Sequence, residues 1–122
     1  MRSVVSIVAV SLALSVGALA APLFHFELVK SMPAAGAKLD AAPAKLQFWF
    51  SQAPAAGVST ITLAHGTMDV KLKKPVLDAK EKSMTVEPVE ALKAGDYVAK
   101  WKSAGDDGHV GTGELKFSIV AK

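Results

Sequence analysis

The run GDYVAKWKSAGDDGHVGTGELKFSI, residues 95–119, decides the fold. Tyr97, Ala99 and Trp101 alternate with Val98, Lys100 and Lys102, and Leu115, Phe117 and Ile119 alternate with Glu114, Lys116 and Ser118. Such alternation turns one set of side chains toward a core and the other toward water, as in a half-buried strand. Between the runs lies Gly105-Asp106-Asp107-Gly108-His109, built from residue types that turns use. The stretch predicts two strands joined by a polar hairpin loop. Just upstream, Leu92, Gly95 and Tyr97 form L-x-x-G-x-Y leading into the first strand. In immunoglobulin-like sandwiches a tyrosine so placed hydrogen-bonds back across its corner.

Five more runs of the same kind lie upstream, about ten residues apart. Phe24, Phe26 and Leu28 alternate with His25, Glu27 and Val29, and Leu46, Phe48 and Phe50 alternate with Gln47 and Trp49. Val58–Leu63 is rich in β-branched residues, Met68–Leu72 is a weaker run, and Met84 and Val86 alternate with Thr85 and Glu87. Ser31-Met32-Pro33-Ala34-Ala35-Gly36 and Ala53-Pro54-Ala55-Ala56-Gly57 break the chain between runs. Pro75 and Pro88 place their neighbouring strands at sheet edges or strand ends. Seven short strands and no helical stripe predict an all-β, immunoglobulin-like Greek-key sandwich or flattened barrel. Trp49 falls on the polar phase of its strand, where it caps a second apolar face or stays partly exposed.

The first residues read as an address. Met1-Arg2 is a short basic start, and Val4 to Val16 is apolar apart from Ser6, Ser11 and Ser15. Gly17-Ala18-Leu19-Ala20 follows as an A-x-A site. This is the layout of a secretory signal peptide over residues 1–20, cut between Ala20 and Ala21. The alternative, an uncleaved anchor, is disfavoured by a short apolar stretch with no charged stop. Residues 21–122 then form one exported domain, large enough for a single core. The chain carries 14 Lys and Arg against 11 Asp and Glu, a net charge of +3. Arg2 is its one arginine, so bidentate phosphate or base recognition is absent from the domain and nucleic acid is a poor partner. With no cysteine there are no disulfides, thiolate metal sites or cysteine nucleophile, and the domain suits a bacterial periplasm.

Candidate chemistry is sparse. Histidine occurs three times, as His25, His65 and His109. Two carboxylates and an imidazole within residues 105–109 offer ligands for a cation, against the plainer reading of a solvated turn. His25 lies on the outward phase of its strand, and His65, before Gly66, receives no role. No G-x-S-x-G or H-E-x-x-H occurs, and Gly111 and Gly113 lack the third glycine and helix of a phosphate cradle. Asp106 and Asp107, being adjacent, point apart in an extended loop and make no glycosidase pair. With no nucleophile–base pair visible, a hydrolase is the weakest reading, and the chain is expected not to be an enzyme. Met32, Met68 and Met84 are scattered, so no methionine cluster offers soft ligation of Cu(I).

The spacing Tyr97-Val98-Ala99-Lys100-Trp101, then Asp107-Gly108-His109 and Gly113, resembles the closing hairpin of the CopC family of periplasmic copper-resistance proteins. The opening His25-Phe26-Glu27-Leu28-Val29-Lys30-Ser31-Met32-Pro33-Ala34 and the strand Leu46-Gln47-Phe48-Trp49-Phe50-Ser51 resemble that family too. The resemblance implies a seven-stranded Greek-key barrel that carries Cu(II), beside an inner-membrane copper transporter. It implies that His25, Asp107 and His109 hold the metal; the adjacent Asp106 is read as a neighbouring or substitute carboxylate from its place in the loop. Two features depart from the family. The expected cut leaves Ala21-Pro22-Leu23-Phe24 ahead of His25, making its nitrogen an amide rather than a terminal amine. Glu27 and Gln52 also stand where the family often has histidine and an acidic residue. The expectation is a tetragonal site weaker than one starting with histidine. The alternative is a non-catalytic envelope interaction module whose metal site has decayed.

Overall fold

The computed structural model describes residues 26–120. Their elements are β1 Leu28–Met32, β2 Lys38–Leu39, β3 Leu46–Phe50, β4 Thr60–His65, β5 Met68–Val70, β6 Val76–Asp78, β7 Ser83–Val86, β8 Gly95–Ala104 and β9 Val110–Ile119. They form a four-stranded sheet, β1-β3-β7-β6, and a five-stranded sheet, β2-β9-β8-β4-β5. Pairing is antiparallel except between β2 and β9. The chain crosses between sheets repeatedly, as a Greek-key sandwich requires.

Each of the seven expected runs holds a strand, all but Leu46–Phe50 with shifted ends. The first begins at Leu28; Phe24 and His25 lie outside the described residues. Before the regular ladder starts, the Glu27 N–H donates to Ser51 Oγ (3.0 Å), and the Ser51 N–H donates to the Glu27 carbonyl (2.8 Å). A register slip between Leu28 and Lys30 then makes a bulge at Val29. The run at 58–63 forms its strand from Thr60, and the run at 68–72 ends its strand at Val70, with Leu72 only bridging Pro88. Two strands are additional, β2 and β6, of two and three residues, both at sheet edges. Pro75 stands directly before β6, where a missing N–H costs no ladder bond.

The alternation sets the core. Leu46, Phe48, Phe50, Met84 and Val86 from one sheet meet Ile61, Leu63, Tyr97, Ala99, Trp101, Leu115, Phe117 and Ile119 from the other. Each large apolar side chain so buried stabilises the fold by about 1.5–3 kcal/mol. The buried serines are satisfied: Ser103 Oγ lies 2.6 Å from Ser59 Oγ, and Ser83 Oγ accepts from Gln47 Nε2 at 3.2 Å. The corner tyrosine behaves as expected, its hydroxyl donating to the Lys93 carbonyl at 2.6 Å. Trp49 is half-buried on the outer face of its sheet, with Lys30 Nζ 4.6 Å above its ring.

Candidate metal centre

The loop joining β8 to β9 carries the polar cluster, as its composition implied. The Gly108 N–H donates to the Gly105 carbonyl at 3.0 Å, closing a turn over Asp106 and Asp107. Gly108 then takes φ +79°, a left-handed conformation that glycine adopts freely. Within this loop Asp107 Oδ1 accepts the His109 N–H at 3.0 Å, an Asx turn that fixes the carboxylate relative to the imidazole. Asp107 Oδ2 lies 3.4 Å from His109 Nδ1. The His109 side chain is 73% exposed and that of Asp107 27%. Both ligand types are thus held together and open to solvent. Asp106, adjacent and exposed, stands in the turn that the Gly108–Gly105 bond closes.

The start of the described chain is seated at the same end. The Phe26 ring packs against Phe50 (centroids 4.8 Å) and Trp101 (6.0 Å), and Phe50 meets Trp101 edge-on at 5.1 Å. A Cβ placed on Gly111 would lie 2.6 Å from the Phe26 carbonyl oxygen and 3.2 Å from its Cβ. Phe26 therefore lies directly on the first residues of β9, at Gly111, two residues past His109. Gly113 opens space in the same way for the Trp101 indole, at 2.8 Å. These two glycines, a broken phosphate motif in the sequence, are packing seats for aromatic residues. Gly105 is buried under the Gln52 side chain, which would collide with any Cβ there. Alternation marks Phe26 as inward-facing, but nothing local marks its seat on Gly111 or that of Gln52 on Gly105; only the small residues opposite them hint at a close approach.

The sequence-derived ligand set divides. Asp107 and His109 come together, whereas His25 lies outside the described residues. Among the described residues no group of three or more His, Cys, Asp or Glu side chains gathers to hold a metal. His65 is remote from the loop that joins β8 to β9. It ends β4, pairs with Tyr97, and stacks on that ring at 4.5 Å and 11°. Tyr97 in turn stacks on Phe117 at 5.2 Å. Gly95 leaves the space that the His65 ring fills. From Tyr97 to Ala104 the strand runs about 23 Å at ~3.3 Å per residue, so His65 marks the opposite end. Burial raises the Tyr97 phenol above its ordinary pKa. Met84 fills the core, while Met32 and Met68 are exposed on edge strands.

A two-sheet β-sandwich with an exposed aspartate–histidine pair on its longest hairpin, and Phe26 seated on Gly111 two residues past that pair, defines a narrow class. The CopC domain model matches residues 28–120, and the chain belongs to that family. It is 31% identical over 102 residues to copper resistance protein C of Pseudomonas syringae pv. tomato, covering 78% of this chain and 80% of the relative. Against copper resistance protein C of Escherichia coli it is 34% identical over 104 residues, covering 78% and 81%. The crystal structure of PcoC, a methionine-rich copper resistance protein from Escherichia coli, superposes with a TM-score of 0.71 at 33% identity, covering 79% of this chain and 99% of that one. CopC from Methylosinus trichosporium OB3b gives a TM-score of 0.69 at 25% identity, covering 78% and 93%.

Proposed function

We propose that the protein is an exported copper-resistance protein that carries and buffers Cu(II) in the periplasm, gripping the ion between His25 and the Asp107–His109 pair. The observation that most supports this reading is the seating of Phe26 on Gly111, two residues past His109. Phe26 directly follows His25 in the chain. Two imidazoles and a carboxylate suit a tetragonal Cu(II) better than Ca²⁺ or Mg²⁺, which prefer all-oxygen sets. The neighbouring Asp106 is a substitute carboxylate. Residues 1–20 act as the signal peptide, cut between Ala20 and Ala21. The relatives named for copper resistance support the same role. The chemistry is carriage rather than catalysis, with handover to an inner-membrane copper transporter.

A calorimetric Cu(II) titration of the exported protein tests this. One equivalent binds, and His109→Ala weakens binding by roughly tenfold or more, as loss of a ligand-set member does. Copper competes with protons for the imidazoles, so affinity falls as pH drops through the range where histidine protonates, about pH 6–7. Equal affinity in wild type and His109→Ala removes the site. An exported chain starting at Ala21 that binds no copper leaves the scaffold as an envelope interaction module.

A further inference from the structure

The chain has no asparagine and six aspartates, and Asp107 is the only one followed by glycine. A backbone nitrogen attacks the preceding aspartate's side chain most readily when its own residue has no Cβ to crowd the approach. The β8–β9 loop supplies the geometry as well. Asp107 Oδ1 accepts the His109 N–H at 3.0 Å, and Oδ2 lies 3.4 Å from His109 Nδ1. Both oxygens therefore reach forward along the chain, which folds the side-chain carbon Cγ toward the intervening Gly108 nitrogen. A Cβ built on Gly108 would meet nothing within 4 Å, so the approach is uncrowded. One bond opposes the attack: the Gly108 N–H donates to the Gly105 carbonyl at 3.0 Å. Residues 106–109 are all exposed, and an exposed turn of this kind opens at little cost. Asp78 is the natural comparison. Its Oδ1 accepts the Lys80 and Glu81 N–H groups in a similar turn, but Ala79 follows it and carries a Cβ.

We propose that Asp107 is a site of spontaneous covalent modification, converting to isoaspartate through a cyclic imide formed with Gly108. The Gly108 nitrogen attacks Cγ of the protonated Asp107 carboxyl. The new N–C bond closes a five-membered succinimide, and the amide hydrogen leaves with the carboxyl hydroxyl as one water. A second water then opens the ring. Opening at the side-chain carbonyl returns aspartate, and opening at the main-chain carbonyl gives isoaspartate. No oxidant or enzyme is consumed, and the chain's mass is unchanged. In the isoaspartyl form the backbone runs through the Asp107 Cβ, one carbon longer, and the free carboxylate sits directly on Cα. The bond from the His109 N–H to Oδ1 is lost, and the carboxylate no longer stands beside the imidazole. That the modified chain loses copper rests on the copper reading; the modification itself does not.

Ageing of the exported protein tests this. The protein is held with a chelator at neutral pH and body temperature for several weeks, beside the synthetic peptide Ser103–Lys116 as the unfolded standard. Trypsin cuts after Lys102 and Lys116, so it releases the same peptide from the protein. Electron-transfer mass spectrometry then separates isoaspartate from aspartate at each position. Isoaspartate accumulates at Asp107 at no less than about a tenth of the peptide's rate, because the turn opens readily. Asp106 and Asp78 stay several-fold behind. Conversion at Asp107 more than roughly tenfold slower than in the peptide overturns the proposal, as a turn that stays closed would produce. Conversion as fast at Asp106 or Asp78 overturns it too. Calorimetric Cu(II) titration of fresh and aged protein reads the consequence. Tight sites fall in proportion to the fraction converted, since a displaced ligand weakens binding by roughly tenfold or more. Undiminished sites in converted protein would separate Asp107 from the metal. Fresh protein that binds no copper counts against the copper reading alone, and the mass spectrum still decides the modification.

Discussion

Gly111 has room for a hydrogen and nothing larger, because the Phe26 carbonyl oxygen lies 2.6 Å from where a Cβ would stand. Gly111→Ala must displace either β9 or the segment through Phe26. We expect a loss of about 1–3 kcal/mol of stability, the usual cost of overpacking, read from urea unfolding. Copper affinity falls with it, because the segment carrying His25 loses its seat. Tyr97 acts at the opposite end. Its phenol is buried, held neutral and bonded to the Lys93 carbonyl. Because the folded state raises its pKa, the native protein holds the proton that the unfolded chain releases. Stability is therefore complete below pH ~10, the unfolded value, and is lost as pH rises beyond it. Tyr97→Phe removes that alkaline loss and costs about 1–3 kcal/mol at neutral pH, through the carbonyl it leaves unpaired. Thermal melts at pH 7 and pH 11 compare the two proteins.

The β8–β9 hairpin is the element on which the site depends. Asp107 does two things there: Oδ1 holds the His109 N–H, and the second oxygen brings charge to within 3.4 Å of Nδ1. Asp107→Asn keeps an oxygen for the first and lacks the charge for the second; Asp107→Ala loses both. We expect both variants to weaken copper by about tenfold or more, with Ala the weaker binder. Stability should change by less than ~1 kcal/mol, because the loop is exposed. Isothermal titration and melting measured side by side separate the two effects. This hairpin was legible in the sequence because its flanking strands sustain alternation over many residues and its loop concentrates turn formers. The third strand was legible for the same reason, and Leu46–Phe50 forms with the bounds its pattern suggests. The edge strands β2 and β6 span only two and three residues, too few to sustain a periodicity that would mark them. Contacts between distant residues were equally hidden. The space over Gly95 for the His65 ring, and over Gly105 for Gln52, comes from tertiary packing across more than 25 residues of chain.

At the scale of the molecule, the two-sheet order explains why residues far apart in sequence share one end. Phe26 and Glu27 run beside Ser51 at the close of β3, and Phe50, Trp101 and Gly111 meet them from both sheets. The Asp107–His109 pair stands on the hairpin above this aromatic cluster, while the His65–Tyr97–Phe117 stack closes the other end. The family pattern carried the ligand assignment further than local chemistry did, since the loop by itself reads first as a solvated turn. The central claim is that one Cu(II) is shared between the chain's leading histidine and its last hairpin. Electron paramagnetic resonance of the exported protein loaded with one equivalent of Cu(II) tests it most directly. The account predicts a tetragonal spectrum with hyperfine splitting from two imidazole nitrogens, reduced to one in either His25→Ala or His109→Ala. An aquo-copper spectrum, or a two-nitrogen spectrum that survives both substitutions, would contradict it.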